Sequence, residues 1–207
     1  MNDANDAEVV IHDADGSPVT PELVLRAYWQ RCFPMADGRR GRLRWYRPES
    51  RAVITWESWK IPESLVKVMR RKPYRITINQ AFLRVIQLCA ERKSTWISTD
   101  VEKLYLALHE RGLVHSLEAW DATGELVGGL YGLCLGGCFC GESMFHRADD
   151  AAKICVVHLV ERLQARGFRM LDCQQQTPHM ERFGAREISD RDYAGLLAAC
   201  PEARAFP

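Results

Sequence analysis

The chain has 207 residues, 47% of them hydrophobic and 27% charged, with a formal net charge of +1; this suits a globular protein of one large domain, or a small domain beside a larger one, with ample core. Its most apolar run, residues 126–140, is broken by five glycines and falls short of the roughly 20 residues a membrane helix needs. The acidic first residues lack the apolar stretch of a secretory signal, so the eight cysteines are expected as free thiols in a reducing cytoplasm.

The small net charge conceals a strong segregation. Residues 1–25 carry six acidic and no basic side chains, residues 26–93 carry 17 basic and 5 acidic, and residues 94–207 carry 11 basic and 16 acidic. So basic a middle segment is an electrostatic footprint for a polyanion, although a solvated basic helix face would give the same counts.

Taken in chain order, residues 1–19 read as an acidic, poorly ordered arm. Thr20-Pro21-Glu22 is a helix start, with a capping threonine, a proline in the first turn and then an acid; that helix should run to about Arg31. Residues 35–44 read as a basic, glycine-containing loop and residues 52–56 as a short strand. A helix over 62–71 places Lys67, Arg70 and Arg71 on one side. Residues 74–78 read as a strand, and Asn79 as the cap of a helix to about Arg92. Ser98-Thr-Asp100 opens a further helix that Gly112 closes.

The pattern then changes. Residues 114–120, 125–133 and 136–140 read as consecutive strands, followed by a helix over 148–166, a strand over 168–173 and a last helix over 189–200. The expected fold is therefore α/β (α+β). A small basic N-terminal domain, residues 20–93, precedes a mixed-sheet domain, residues 94–207, whose meander–helix–strand order resembles the acetyltransferase (GNAT-type) superfamily. Fold analogy alone gives no function.

Two acids stand out. Glu142 follows Gly141 in what reads as a loop, and Asp172 lies on the predicted strand two positions before Gln174, which sets both side chains on one face. Phe139, Met144, Phe145, Met170 and Leu171 surround them in sequence. A carboxylate is costly to bury unless it is paired, so two of them among apolar segments point to a site. The plainer alternatives are an acidic turn and a solvent-facing strand end. Trp45-Tyr46 follow Arg39, Arg40, Arg42 and Arg44, and Trp96 follows Arg92 and Lys93. Aromatics interleaved with arginines can stack unpaired bases and hold phosphates, or can be ordinary core aromatics. Cys134, Cys138, Cys140 and His146 lack the ligand spacing of a zinc site, and no metal is expected. The turn entering the 148–166 helix, Phe145-His-Arg-Ala-Asp-Asp150, is acidic and glycine-free, a poor cradle for the pyrophosphate of coenzyme A.

In order along the chain, Leu25-Arg-Ala-Tyr28, Phe33-Pro34, Trp45, Arg51-Ala-Val53, Pro73-Tyr-Arg75, Thr95-Trp-Ile97, Leu126-Val-Gly-Gly129, Phe139-Cys-Gly-Glu-Ser-Met-Phe145 and Leu171-Asp-Cys-Gln174 resemble the leucyl/phenylalanyl-tRNA–protein transferase family of bacteria. The resemblance covers about residues 21–197. It implies an enzyme that moves an amino acid of the Leu, Phe or Met class from aminoacyl-tRNA to the N-terminal amine of a protein beginning with Arg or Lys, marking it for N-degron degradation. Glu142, Asp172 and Gln174 would carry acceptor binding and catalysis. Trp45 or Tyr46 with Trp96 would hold the terminal adenosine, while Phe139, Met144 and Ser143 would border the donor's side chain. Arg42, Arg44, Lys67, Arg70, Arg71 and Arg75 would meet acceptor-stem phosphates. A monomer with no cofactor and no DNA or membrane partner is also expected. Against the family pattern, Ile11-His-Asp-Ala-Asp-Gly16 replaces a Gly-Gly-Asp-Leu stretch, Met35 and Tyr46 replace aromatics, and His146 and Ala152 replace serines. An acyltransferase of the same fold with another donor or acceptor, and a non-catalytic tRNA-binding protein, are the alternatives.

Overall fold

In the computed structural model, residues 11–200 and 205–206 are described. The centre is a seven-stranded mixed sheet built from β5 (Ser50–Thr55), β6 (Arg75–Ile78), β7 (Val114–Trp120), β8 (Leu126–Leu135), β9 (Cys138–His146), β10 (Met170–Gln174) and β11 (Arg186–Ser189). Its spatial order is β11-β5-β10-β9-β8-β7-β6. Only β9 and β10 run parallel, joined by the crossover helix α5 (Ala151–Ala165), as a parallel pair requires a long connection.

Both faces of the sheet are covered. On one lie α1 (Pro21–Trp29), α3 (Phe82–Ala90), α4 (Thr99–Glu110) and α7 (Asp190–Ala198), whose buried residues form one core with Cys138, Cys140, Tyr131 and Met170. On the other lie α2 (Glu63–Met69), α5 and the short α6 (Pro178–Glu181), around Phe139, Leu171 and Phe206. The caps follow the sequence: Thr20 accepts from the Leu23 N–H at 3.2 Å, and Ser98 from that of Val101 at 3.3 Å.

Several expectations need correction. Part of the acidic arm is folded: β1 (Ile11–His12) pairs with β2 (Pro18–Val19) around Asp13, whose Oδ1 accepts from the N–H groups of Asp15 and Ser17; the rest of that arm, residues 1–10, lies outside the described residues. The ends of the expected basic loop are strands, β3 (Phe33–Ala36) paired with β4 (Leu43–Tyr46), because Met35 and Ala36 find partners in Arg44 and Leu43. Asn79 does not cap α3. Its φ is 58°, and its side chain instead accepts from the Ser116 N–H, so the helix begins at Phe82. Glu142 lies inside β9 rather than in a loop. The sheet spans the division expected near residues 93–99, because β5 and β6 come from its N-terminal side.

Helix α5 sits close on the sheet because β8 offers it glycine: a Cβ at Gly128 would come within 2.5 Å of the Ala151 Cβ and 3.0 Å of that residue's backbone. We expect Gly128→Ala to cost about 1–3 kcal/mol through overpacking, read as a lower denaturant midpoint at unchanged m-value.

Candidate active site

The site forms where the parallel pair separates. β10 and β9 are in register at Met170–Cys138, Leu171–Phe139 and Asp172–Cys140, and the pairing stops there. Both strands are irregular at this point. Opposite β8 the register jumps from Tyr131–Ser143 to Gly132–Gly141, which makes Glu142 the extra residue of a bulge. Opposite β5 it jumps between Asp172 and Gln174, and Gln174 takes a left-handed backbone with φ 61°. Bulges re-aim side chains; these two turn Glu142 and Gln174 toward each other, and the Gln174 Nε2 donates to Glu142 Oε2 at 3.0 Å. Two of the three expected site residues thus meet, by way of irregularities that a regular alternation does not anticipate; the same-face pairing expected of Asp172 and Gln174 is broken by the bulge between them.

Asp172 is fully buried. Its Oδ2 accepts from Arg51 Nη1 at 2.6 Å and from the Tyr193 hydroxyl at 2.8 Å, while Oδ1 accepts from the Gln174 backbone N–H at 2.7 Å. Arg51 is as buried as its partner. It also donates to the Arg31 carbonyl at 2.8 Å, and its guanidinium lies over the rings of Phe33 and Tyr193, 4.9 and 4.7 Å from their centroids. Burial pushes the Asp172 carboxyl up, and Arg51, the Gln174 N–H and Tyr193 pull it back; a guanidinium in contact holds it ionised at neutral pH. With both oxygens engaged, Asp172 fixes the backbone of Gln174. In the sequence Arg51 stands out only as part of a family motif and Tyr193 not at all; neither has a local signal, since each is brought to Asp172 from a distant element.

Glu142 has a different environment. Its Oε1 accepts from the Tyr28 hydroxyl at 2.6 Å and its Oε2 from that of Tyr105 at 3.1 Å, with Tyr28 on α1 and Tyr105 on α4. No cation is paired with it among the described residues. Burial raises its carboxyl to about 7, against the hydrogen bonds of Tyr28, Gln174 and Tyr105. The two carboxyls are therefore set apart by their surroundings: one locked as an anion, the other poised to exchange a proton near neutrality.

A cavity of about 280 Å³ opens at the fork. Glu142, Gln174 and Tyr131 border its polar side, Leu130, Val156, Leu159, Leu171 and Met180 its apolar side, and Met35, Arg92 and Trp96 also line it. Of the residues expected at the site, Glu142, Asp172, Gln174, Trp96, Ser143 and Met144 line this cavity. Phe139 does not; it packs in the core against Phe206, with ring centroids 5.4 Å apart. Trp45 and Tyr46 also stand away from it: the Trp45 Nε1 donates to Asp13 Oδ2 at 3.4 Å, and Tyr46 stacks on Phe33. The six expected phosphate contacts are scattered. Arg42 and Arg44 are on the β3/β4 ribbon, where Arg44 lies opposite the cavity-lining Met35. Lys67 is on α2, with Arg70 and Arg71 just after it, and Arg75 is on the edge strand β6. A second groove, lined by Asp37, Arg39, Arg92, Lys93 and Thr95, shares Arg92 with the cavity.

The split parallel pair, an apolar pocket and a buried carboxyl beside an oriented amide thus come together at one place. Comparison with known proteins identifies the family. Residues 53–198 match the family model described as leucyl/phenylalanyl-tRNA protein transferase, and residues 18–49 match the N-terminal domain of that family. Proteins named leucyl/phenylalanyl-tRNA–protein transferase are 50% identical to this chain in Rubrobacter xylanophilus (87% of this chain, 94% of that one) and 47% in Gloeobacter violaceus (86% and 92%). A third, from Salinibacter ruber, is 45% identical over 82% of this chain and 75% of that one. Among solved structures, that of L-PGS from Bacillus licheniformis aligns with a TM-score of 0.43 at 11% identity, over 69% of this chain and 45% of that one. The chain belongs to the leucyl/phenylalanyl-tRNA–protein transferase family and is an aminoacyltransferase.

Two outcomes follow for stability. Arg51→Met leaves Asp172 as a buried unpaired charge, and we expect a loss of about 3–5 kcal/mol in denaturant unfolding. Glu142 binds its proton more tightly folded than unfolded, so between pH 4.5 and about 7 the folded state carries the extra proton and stability falls as pH rises. We expect the stability of wild type relative to Glu142→Gln to decline across that window by up to about 3 kcal/mol; a difference that does not change with pH would contradict the assignment.

Proposed function

We propose that this protein transfers an amino acid of the Leu, Phe or Met class from aminoacyl-tRNA to the α-amine of an acceptor protein, with Arg or Lys as the acceptor's first residue. The observation that carries this reading is the cavity itself: an apolar floor from Leu130 to Met180 beside the Glu142–Gln174 pair. The floor suits an uncharged, bulky side chain. The polar wall suits an ester carbonyl and an incoming amine.

The chemistry needs little more than alignment. An aminoacyl ester is already activated, and an α-amine with pKa about 7.7–8.0 is partly neutral at pH 7; holding the two in attacking geometry is worth roughly 7–11 kcal/mol. The Gln174 Nε2 is given to Glu142, which leaves its Oε1 to accept from an N–H of the amine. The amine nitrogen bonds to the ester carbon, its proton passes to Glu142, the bond from that carbon to the ribose oxygen breaks, and the proton ends on the freed ribose hydroxyl. Asp172, Arg51 and Tyr193 are positioning residues here, because they act through the backbone of Gln174. Glu142, which has no cation partner among the described residues, also favours a cationic acceptor when ionised. Trp96 stacks the terminal adenosine, and Arg39, Arg44, Arg92 and Lys93, grouped about the mouth and the adjoining groove, are better placed for the phosphates than Lys67, Arg70, Arg71 and Arg75. In this reading the separated parallel pair corresponds to the split strands of an acetyltransferase-like core, and the protein works as a cytoplasmic monomer; among the described residues no helix is long and apolar enough to cross a membrane.

The test is transfer of radiolabelled Leu, Phe or Met from charged tRNA to peptides beginning with Arg, Lys, Asp, Glu or Ala. We expect label in the Arg and Lys peptides, a fall of about 10²-fold in kcat for Gln174→Ala, and a KM for charged tRNA raised roughly 5- to 150-fold in Trp96→Ala, as loss of one stacked base implies. Label confined to acidic acceptors would overturn the acceptor assignment, and tRNA binding with no product in wild type would overturn the enzyme reading.

A further inference from the structure

Three buried tyrosines stand near Glu142, and the one that lines the cavity has no evident use. Tyr28 and Tyr105 give their hydroxyls to Glu142. Tyr131, on β8 directly across from Ser143 at the bulge that sets Glu142, is wholly buried and lines the cavity, yet its hydroxyl has no hydrogen-bond partner among the described residues. Its ring is held edge-on by Phe82 and Tyr105, at 5.9 and 5.5 Å between centroids and 88° and 77° between planes. Packing alone would be served equally by phenylalanine, and leaving a buried hydroxyl unpaired costs about 1–3 kcal/mol. A native orphan of this kind calls for an explanation.

The other cavity donors narrow its use. The Gln174 amide gives an N–H to Glu142 and Arg92 gives one to the Met144 carbonyl, whereas the Tyr131 hydroxyl gives its proton to no protein group among the described residues. Glu142, as a carboxylate, repels a second developing anion. Resting on the aminoacyl-transfer reading above, we propose that the Tyr131 hydroxyl is a further catalytic group: it donates a hydrogen bond to the ester carbonyl oxygen of the donor as that oxygen gains negative charge. When the amine nitrogen bonds to the carbonyl carbon, the π pair moves onto the oxygen and Tyr131 stabilises it without giving up its proton. When the pair returns, the bond to the ribose oxygen breaks and the hydroxyl is released. Burial and neighbouring anionic groups push the Tyr131 phenol well above its ordinary range, so it stays a donor throughout.

The experiment is Tyr131→Phe in the full-length protein, with single-turnover transfer from Phe-tRNA to an Arg-initiated peptide at saturating donor, alongside the thermal midpoint. We expect the rate to fall about 10²-fold, as for removal of one oxyanion donor, with the KM for charged tRNA unchanged and the midpoint equal to or above wild type, since an unpaired buried hydroxyl has gone. A structural role moves the midpoint the other way: a lowered midpoint with a matching loss of rate overturns the inference, as does a rate within twofold of wild type or a raised KM at unchanged rate. If wild type itself transfers nothing, the aminoacyl-transfer reading falls and this inference with it; transfer by wild type with an unaffected variant overturns this inference alone.

Discussion

Everything at the site hangs on a buried ion pair. Arg51 and Asp172 meet at 2.6 Å with almost no solvent on either, and such a pair depends on how well its remaining donors and acceptors are served. Most are served by elements far apart in sequence: the carbonyl of Arg31 beyond α1 accepts a second guanidinium N–H, the rings of Phe33 and Tyr193 face the cation, and the Gln174 N–H serves the carboxylate, while the Arg51 Nε has no hydrogen-bond partner among the described residues. The pair thus ties the N-terminal ribbon, β5, β10 and α7 to one point. The strain at that point is in Gln174, whose left-handed backbone is unfavourable for a side chain of its kind; the Asp172 carboxylate offsets it by accepting the Gln174 N–H.

The second carboxylate depends on the first without touching Arg51. Gln174 can reach Glu142 only because its backbone turns where β10 leaves β9. Glu142 is then surrounded by neutral donors, and burial lifts it to about 7. The same sheet irregularity that ends strand pairing also opens the cavity, so the fold has one defect with two uses. The apolar floor comes from α5 and its strands on one side of the sheet and the polar wall from the other.

Much of this was legible in the sequence, for identifiable reasons. Glu142 and Asp172 were visible because acids among phenylalanines, methionines and leucines are expensive to bury. The meander, the crossover helix and the strand after it were visible because hydrophobic period and glycine stops mark them. What was hidden depends on three-dimensional closure. Arg51 reads locally as one more arginine of a basic segment, and only the arrival of Asp172 and two rings shows it to be core. The bulges at Glu142 and Gln174 leave no mark in an alternating pattern. Phe139 was expected beside the donor from its place in the family motif, but it lies deeper in the same core as the apolar floor, against Phe206, and does not line the cavity. The basic residues were counted as one patch, whereas the fold distributes them over a ribbon, a helix and an edge strand.

Arg51, Asp172 and Gln174 form one mechanical unit, and units lose activity non-additively. The most direct measurement is a double-mutant cycle on single-turnover transfer with Arg51→Met, Gln174→Ala and their combination, at a temperature where circular dichroism shows all three folded. If Arg51 acts only by holding Gln174, the double variant is no slower than the slower single. If the two losses multiply, the buried pair serves the reaction by some route other than Gln174, and the central claim is wrong.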